Sequence, residues 1–174
     1  MRIVGGRWAG RDLVSPAGRV RPTAEAVRDV CMTMLGERLR DARMLDLFAG
    51  SGALGLEALS RGAATCDFVE NNPAALHSLK ANVAALRVRR RTRIFDRDAI
   101  PFVERIDKIA YDIAVADPPY ESKKLDRIVR DWLDHPFSTF LLVEHAAGHA
   151  LPTSGTRRRI GDSAVTLLAA AATP

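Results

Sequence analysis

The sequence predicts an α/β protein: a mostly parallel, twisted sheet wrapped by helices on both faces, with an antiparallel C-terminal edge hairpin and a small N-terminal β extension. Three observations carry this expectation. From Met44 to Glu144, short runs rich in Val, Ile and Leu alternate with stretches whose apolar residues recur at helical spacing. Gly50, Gly52 and Gly55 lie between one such run and the helix after it. The last apolar segment is interrupted by Gly161-Asp162, a hairpin turn signal. With 174 residues, the chain is long enough for one well-buried domain and too short for two ordinary ones.

Residues 1–22 read as short strands around Ile3-Val4 and Leu13-Val14, an N-terminal β-hairpin extension to a main domain at 23–174. Pro22-Thr23 opens a helix through Leu39, with Val27, Val30, Cys31, Met34 and Leu35 inward and Asp29, Glu37 and Arg38 outward. A strand at 44–48 leads through the glycine loop to a helix at 53–60. The next pair is a strand at 66–70 and a helix at 73–86, whose first-turn proline lacks a hydrogen that the first turn does not use. A strand at 92–95, a helix at 99–106, a strand at 111–116, a helix at 123–133 and a strand at 139–144 follow. Segments 157–160 and 165–169 form the hairpin.

Composition excludes several classes. Hydrophobic content of 47% and charged content of 27% are ordinary for a globular chain, and no apolar run approaches the roughly 20 residues of a membrane span. No apolar signal core follows Met1, so cytoplasm is the expected compartment. Cys31 and Cys66 stand far apart and read as packing residues. Glu144-His145-x-x-x-His149 has an i, i+4 histidine pair, but Gly148 and Pro152 argue against a helix there, so no metal is expected.

Net charge is +5, from 26 basic and 21 acidic residues, and the arginines are clustered. Arg2, Arg7, Arg11, Arg19 and Arg21 face one acid, Asp12, within residues 1–22. Arg87, Arg89, Arg90, Arg91 and Arg93 fall within seven positions, and Arg157 to Arg159 are consecutive. Each cluster alone reads equally well as solvated surface; together they favour a polyanion, because the guanidinium fork matches phosphate.

Two loops carry the chemistry. Gly50-x-Gly52-x-x-Gly55 follows a strand and opens a helix, where backbone can approach a ligand and free amide groups face it. Glu70 ends the next strand, 18 residues after Gly52, placed to accept from ribose hydroxyls. This pattern predicts a bound adenosine cofactor and by itself also suits NAD. Asp46, a carboxylate inside an apolar strand, needs a partner: the amino-acid end of S-adenosylmethionine supplies an ammonium, and bracing of loop amides is the other reading. Asp98-Ala99, after the third strand, then lies by the adenine. The second loop is Asp117-Pro118-Pro119-Tyr120, where Pro118 holds Asp117 extended at a strand's carboxyl end, the rim at which open α/β sheets bind ligands.

Asp46-Leu47-Phe48-Ala49-Gly50-Ser51-Gly52 and Asp117-Pro118-Pro119-Tyr120 resemble the cofactor and catalytic motifs of amino-group methyltransferases that use S-adenosylmethionine. More narrowly, the chain resembles the RsmD family of bacterial 16S ribosomal RNA guanine-N2 methyltransferases. Arg2 to Gly6 with Gly10-Arg11, Arg21-Pro22-Thr23, Leu45 to Gly62, Asp117 to Tyr120 and Arg159 to Ser163 carry the likeness, over essentially the whole length. Glu25 and Ala26 replace the family's usual aspartate and arginine, and Asn71-Asn72 replaces a more usual acidic residue after Glu70.

The resemblance implies a Rossmann-like class I methyltransferase fold and S-adenosylmethionine as cofactor. It implies Asp46, Phe48, Ala49, Gly50, Ser51, Gly52, Gly55, Glu70, Asn71, Asp98, Ala99 and Asp117 as cofactor contacts, and Asp117, Pro118, Pro119 and Tyr120 as catalytic residues. Arg7, Arg11, Arg21, Thr23 and Arg28 become the RNA contacts, with 16S ribosomal RNA within a small-subunit assembly intermediate as partner, no membrane partner, and a monomer as the state. Guanine presents N1–H and N2–H side by side, which suits a carboxylate, while adenine sets an acceptor beside its donor. Three alternatives stay open from the residues: adenine-N6 methylation of DNA or RNA, a nicotinamide-dependent oxidoreductase, and a non-catalytic RNA-binding module.

Overall fold

Residues 1–16, 25–119 and 123–171 are described by the computed structural model. Helix α1 (Glu25–Leu35) precedes five parallel strands, each joined to the next by a helix. They are β1 (Arg43–Leu47), α2 (Ala53–Ser60), β2 (Thr65–Glu70), α3 (Pro73–Ala85), β3 (Thr92–Asp96), α4 (Ala99–Val103), β4 (Tyr111–Ala116), α5 (Lys124–Asp134) and β5 (Ser138–Ala146). The chain closes with the antiparallel pair β6 (Thr156–Ile160) and β7 (Ser163–Ala169), with β7 lying between β5 and β6. Sheet order is β3-β2-β1-β4-β5-β7-β6.

The central strands are mostly apolar because both faces are covered. On one face Cys31 and Leu35 of α1, Leu56 and Leu59 of α2 and Leu79 of α3 pack on Met44, Phe68, Ile113 and Val115. On the other, Val103 of α4 and Ile128, Val129 and Trp132 of α5 pack on Leu45, Leu47, Ala114 and Leu141. Alternation along β1 therefore sends Asp46 toward the α1/α2 side. Order reverses between β1 and β4, and in open α/β sheets the crevice outside the carboxyl ends at such a switch point is where ligands bind.

Most predicted elements lie within one or two residues of the observed ones, and the differences have local causes. The first helix, expected through Leu39, ends at Leu35, where Gly36 takes φ of 53° and a 3-10 turn over Gly36–Leu39 follows. Helix α4 stops at Val103, because the Ile106 amide bonds back to the Val103 carbonyl at 2.9 Å and tightens the end into a turn. Strand β5 runs on through Glu144 and His145 to Ala146, since β7 supplies a ladder up to the Ala146–Ser163 pair. At the amino terminus, the two expected strands reduce to a single antiparallel bridge, Arg2 with Asp12, around a 3-10 turn at Gly6–Trp8. That segment is sealed into the main core by Ile3, fully buried, and Leu13. The expected start of the first helix, at Pro22-Thr23, lies outside the described residues.

Candidate active site

The loop after β1 is held in a demanding conformation. Phe48, Gly50 and Gly52 take φ of 58°, 56° and 80°, and Phe48 does so with a side chain present. Its neighbours enforce it. Gly50 N donates to Glu70 Oε2 at 2.8 Å, Ala49 N to the Val69 carbonyl at 3.1 Å, and Gly52 N to the Ala49 carbonyl at 2.7 Å. Glu70 Oε1 accepts from Asn71 N at 2.8 Å and Asn72 N at 2.7 Å, so this one carboxylate ties together two rim loops. Four lone-pair directions on a carboxylate still leave room for further donors.

The three glycines have different roles. A Cβ on Gly50 meets nothing within 4 Å, leaving open space above the loop. On Gly52 it would stand 2.4 Å from Leu79 Cδ1, and on Gly55 2.4 Å from Phe68 Cε1 and 2.5 Å from Cys66 Sγ. Gly55, expected as a cofactor contact, thus faces the sheet, and its amide is occupied as well: it donates to Asp46 Oδ2 at 2.9 Å. Its role is close packing of helix on strand.

Asp46 is 1% exposed and accepts from the Gly55 amide in the first turn of α2, a bracing role for that carboxylate. Burial pushes its pKa well above the usual carboxylate range; the Gly55 amide opposes the shift, and the Asp117 and Glu70 carboxylates add to it. Asp98 caps α4, accepting from Ile100 N at 3.1 Å, and pairs with Lys124 Nζ at 3.2 Å. Its pKa lies below the usual value: burial acts upward, and the Ile100 amide and Lys124 ammonium outweigh it. Lys124 Nζ also stands 5.6 Å from the Phe48 ring centre, and Ala99 is buried beside Asp98.

Across the crevice, Asp117 follows β4, half-buried, with Pro118 buried and Pro119 exposed. Tyr120 lies outside the described residues. Pro118 and Pro119 line a small recess with Leu125, Glu144, His145 and His149. His145 bonds Thr166 Oγ1 at 2.9 Å and His149 bonds Asp126 Oδ1 at 2.7 Å. Among the described residues, no group of three or more His, Cys, Asp or Glu side chains is arranged to hold a metal.

The expected RNA contacts divide. Arg7 and Arg11 are exposed, and Arg11 Nη2 donates to the Ala85 carbonyl at the end of α3 at 3.3 Å. Arg91 lies over the Trp8 ring at 6.0 Å, so the first two arginine clusters adjoin in space. Arg28 does not belong with them. It is fully buried, with Nη2 donating to the Arg2 carbonyl at 2.6 Å, so it ties α1 to the amino terminus and presents nothing to RNA. Arg21 and Thr23 lie outside the described residues.

Sequence reasoning passed over Glu57 and Asn82. Glu57, fully buried on α2, accepts from Val4 N at 2.8 Å and Gly5 N at 2.7 Å and pairs with Arg61. Asn82, 1% exposed on α3, bonds both Val14 and Ser51. A signal existed for Asn82, which interrupts the apolar stripe of Leu76, Leu79 and Val83.

A mostly parallel sheet of this order, with a glycine loop and an Asp-Pro-Pro loop on either side of its switch point, defines the class I methyltransferase architecture. The Escherichia coli (strain K12) protein named ribosomal RNA small subunit methyltransferase D is 35% identical over 157 residues, covering 88% of this chain and 78% of that one. Among solved structures, yhhF of Escherichia coli matches with a TM-score of 0.86 at 33% identity over 99% of both chains. An RNA methyltransferase of Salinibacter ruber, solved with S-adenosyl-L-homocysteine, shares the fold at a TM-score of 0.69 and 14% identity, over 88% of this chain and 96% of that one. The family model described as conserved hypothetical protein 95 matches residues 1–163, and the chain belongs to that family, the RsmD family.

Proposed function

We propose that this protein transfers a methyl group from S-adenosylmethionine to the exocyclic N2 amine of a guanine in 16S ribosomal RNA. The observation that carries the reading is the position of Asp117 and Pro118 across the switch-point crevice from the braced glycine loop. Membership of a family whose relatives are named for ribosomal RNA small subunit methylation supports it.

The residues present fit a cationic adenosine cofactor. Open space over Gly50 admits a ligand to the backbone, Glu70 keeps lone pairs for ribose hydroxyls, and buried Asp46 gains from a nearby positive charge. In this reading Asp98 accepts from the adenine amine with the lone pairs that Ile100 N and Lys124 leave. When bound, S-adenosylmethionine supplies a methyl group on a positively charged sulfur. The chain's contribution is placement of the amine, whose lone pair is delocalised into the base. Asp117 and the Pro118 carbonyl accept its two hydrogens, which turns the lone pair toward the methyl group. Such orientation contributes roughly 7–11 kcal/mol. Tyr120 stacks on the base and offsets a few kcal/mol of unstacking. After transfer, Asp117 or water takes the surplus proton.

In this reading, residues 1–22 form the RNA-contact extension of a methyltransferase domain at 23–174, acting as a monomer in the cytoplasm on an assembling small subunit. No helix among the described residues is long and apolar enough to cross a membrane. Incubation with methyl-labelled S-adenosylmethionine and unmodified small subunits, or their RNA, followed by nucleoside analysis, tests the proposal. N2-methylguanosine is the expected product; N6-methyladenosine, or no transfer to either substrate, overturns it.

A further inference from the structure

The Asn82 side chain joins two parts of the molecule that the proposed reaction uses separately. Its Oδ1 accepts from Val14 N at 2.8 Å, while Nδ2 donates to the Val14 carbonyl at 3.0 Å and to the Ser51 carbonyl at 2.9 Å. Oδ1 has a donor to accept from, and both amide hydrogens are taken. The orientation is unambiguous, because a flipped amide sets NH2 against an N–H and oxygen against two carbonyls.

Ser51 lies within the loop whose left-handed residues Phe48, Gly50 and Gly52 need outside support. Val14 belongs to the segment that carries Arg7 and Arg11. Further anchors of that segment sit on α2, the helix opened by the same loop: Glu57 takes the Val4 and Gly5 amides, and Ser60 Oγ accepts from Trp8 N at 2.9 Å. Arg11 reaches the Ala85 carbonyl, about one turn beyond Asn82 on α3. Fixing the arginine-bearing segment therefore fixes Asn82, which in turn fixes the backbone of the cofactor loop.

We propose that Asn82 is a positioning residue that couples RNA docking on the N-terminal segment to the cofactor loop, so that each ligand tightens the binding of the other. The inference rests on the reading that this segment touches RNA. Coupling of this kind is reciprocal: whatever factor RNA applies to cofactor affinity, the cofactor applies to RNA affinity.

The test measures S-adenosylhomocysteine affinity, with and without saturating unmodified small-subunit ribosomal RNA, for the wild type, Asn82→Asp and Val14→Pro. Asn82→Asp is nearly isosteric and turns oxygen toward both carbonyls. Val14→Pro deletes the Val14 amide hydrogen from the other side of the link, at a side chain 53% exposed, so it carries the test should Asn82→Asp fail to fold. RNA should tighten wild-type binding about fivefold or more, within the usual range of such couplings, and the ratio should fall toward one in both variants. A purely structural role for Asn82 would weaken both ligands and leave the ratio intact, which overturns the proposal. A ratio of one in wild type that does bind RNA also overturns it while leaving the RNA reading standing. Wild type that binds no RNA overturns both.

Discussion

Asp46 Oδ2 lies 2.9 Å from the Gly55 amide nitrogen, so the acid of the cofactor motif acts first as a brace between β1 and the helix after it. One amide hydrogen does not compensate the burial of a full charge, which is why the carboxyl pKa sits above its usual range.

With the cofactor's positive charge seated near Asp46 as proposed, that shift predicts proton-linked binding. A raised folded-state value means that Asp46's contribution to stability is present in full below the unfolded value, about 4, and is lost as pH rises through the folded value. A cationic ligand favours the ionised form, so binding releases a proton, and affinity climbs with pH until Asp46 is already ionised in the free protein. Calorimetry in buffers of different ionisation enthalpy should detect the released proton. Asp46→Asn, which keeps an acceptor for Gly55 N, should abolish it and weaken binding about tenfold, equivalent to one pKa unit. Unchanged proton release in that variant would remove Asp46 from the linkage.

Gly50 and Gly55 separate ligand approach from packing. In Gly50→Ala, the left-handed backbone costs about 1–2 kcal/mol and the new methyl group enters the open space over the loop, so cofactor affinity should fall by more than stability explains. In Gly55→Ala, the methyl group meets Phe68 and Cys66, with an expected stability loss of about 1–3 kcal/mol and little separate effect on binding. Thermal melts beside binding isotherms distinguish the two, and equal behaviour of both variants contradicts the assignment.

Strand periodicity, helix periodicity and the two loop motifs were local properties, so the sequence placed β1 to β5 and brought Asp46, the glycine loop, Glu70 and Asp117 to one rim. Side-chain partners across 20 to 70 positions were not local. Arg28 is expected among the RNA contacts, because nothing near it in sequence announces that the Arg2 carbonyl will reach it inside the core. Asp67, read as part of an apolar strand, is a buried carboxylate with Arg93 Nε at 2.9 Å and the Tyr111 hydroxyl at 2.8 Å. Its partners stand 26 and 44 positions away.

Substitution of Asp117 should separate chemistry from binding. Asp117→Asn retains one acceptor and presents an NH2 group to an amine, so the orientation of the substrate nitrogen is lost. Turnover should fall about 10²-fold or more, with RNA and cofactor affinities changed about twofold at most, since phosphate contacts dominate the former. Single-turnover rates and filter-binding isotherms give the two quantities. Loss of RNA affinity in parallel with rate would make Asp117 a docking residue instead.

The arginines should divide by burial. Arg7→Gln and Arg11→Gln remove exposed charges, so each phosphate left without its guanidinium should lower the slope of log affinity against log salt by roughly 0.7–0.9 with little effect on stability. Arg87, Arg89 and Arg90, exposed in the residues after α3, whose last carbonyl Arg11 reaches, should behave the same way if the adjoining clusters form one RNA-facing surface. Arg28→Gln should do the reverse. It removes a charge-assisted bond to the Arg2 carbonyl inside the core, at a cost of about 1.5–3 kcal/mol, and leaves the salt slope of RNA binding unchanged, because a guanidinium with no exposed surface releases no counterions from nucleic acid. A salt slope that drops in Arg28→Gln while the melting temperature holds would place that guanidinium on the RNA after all.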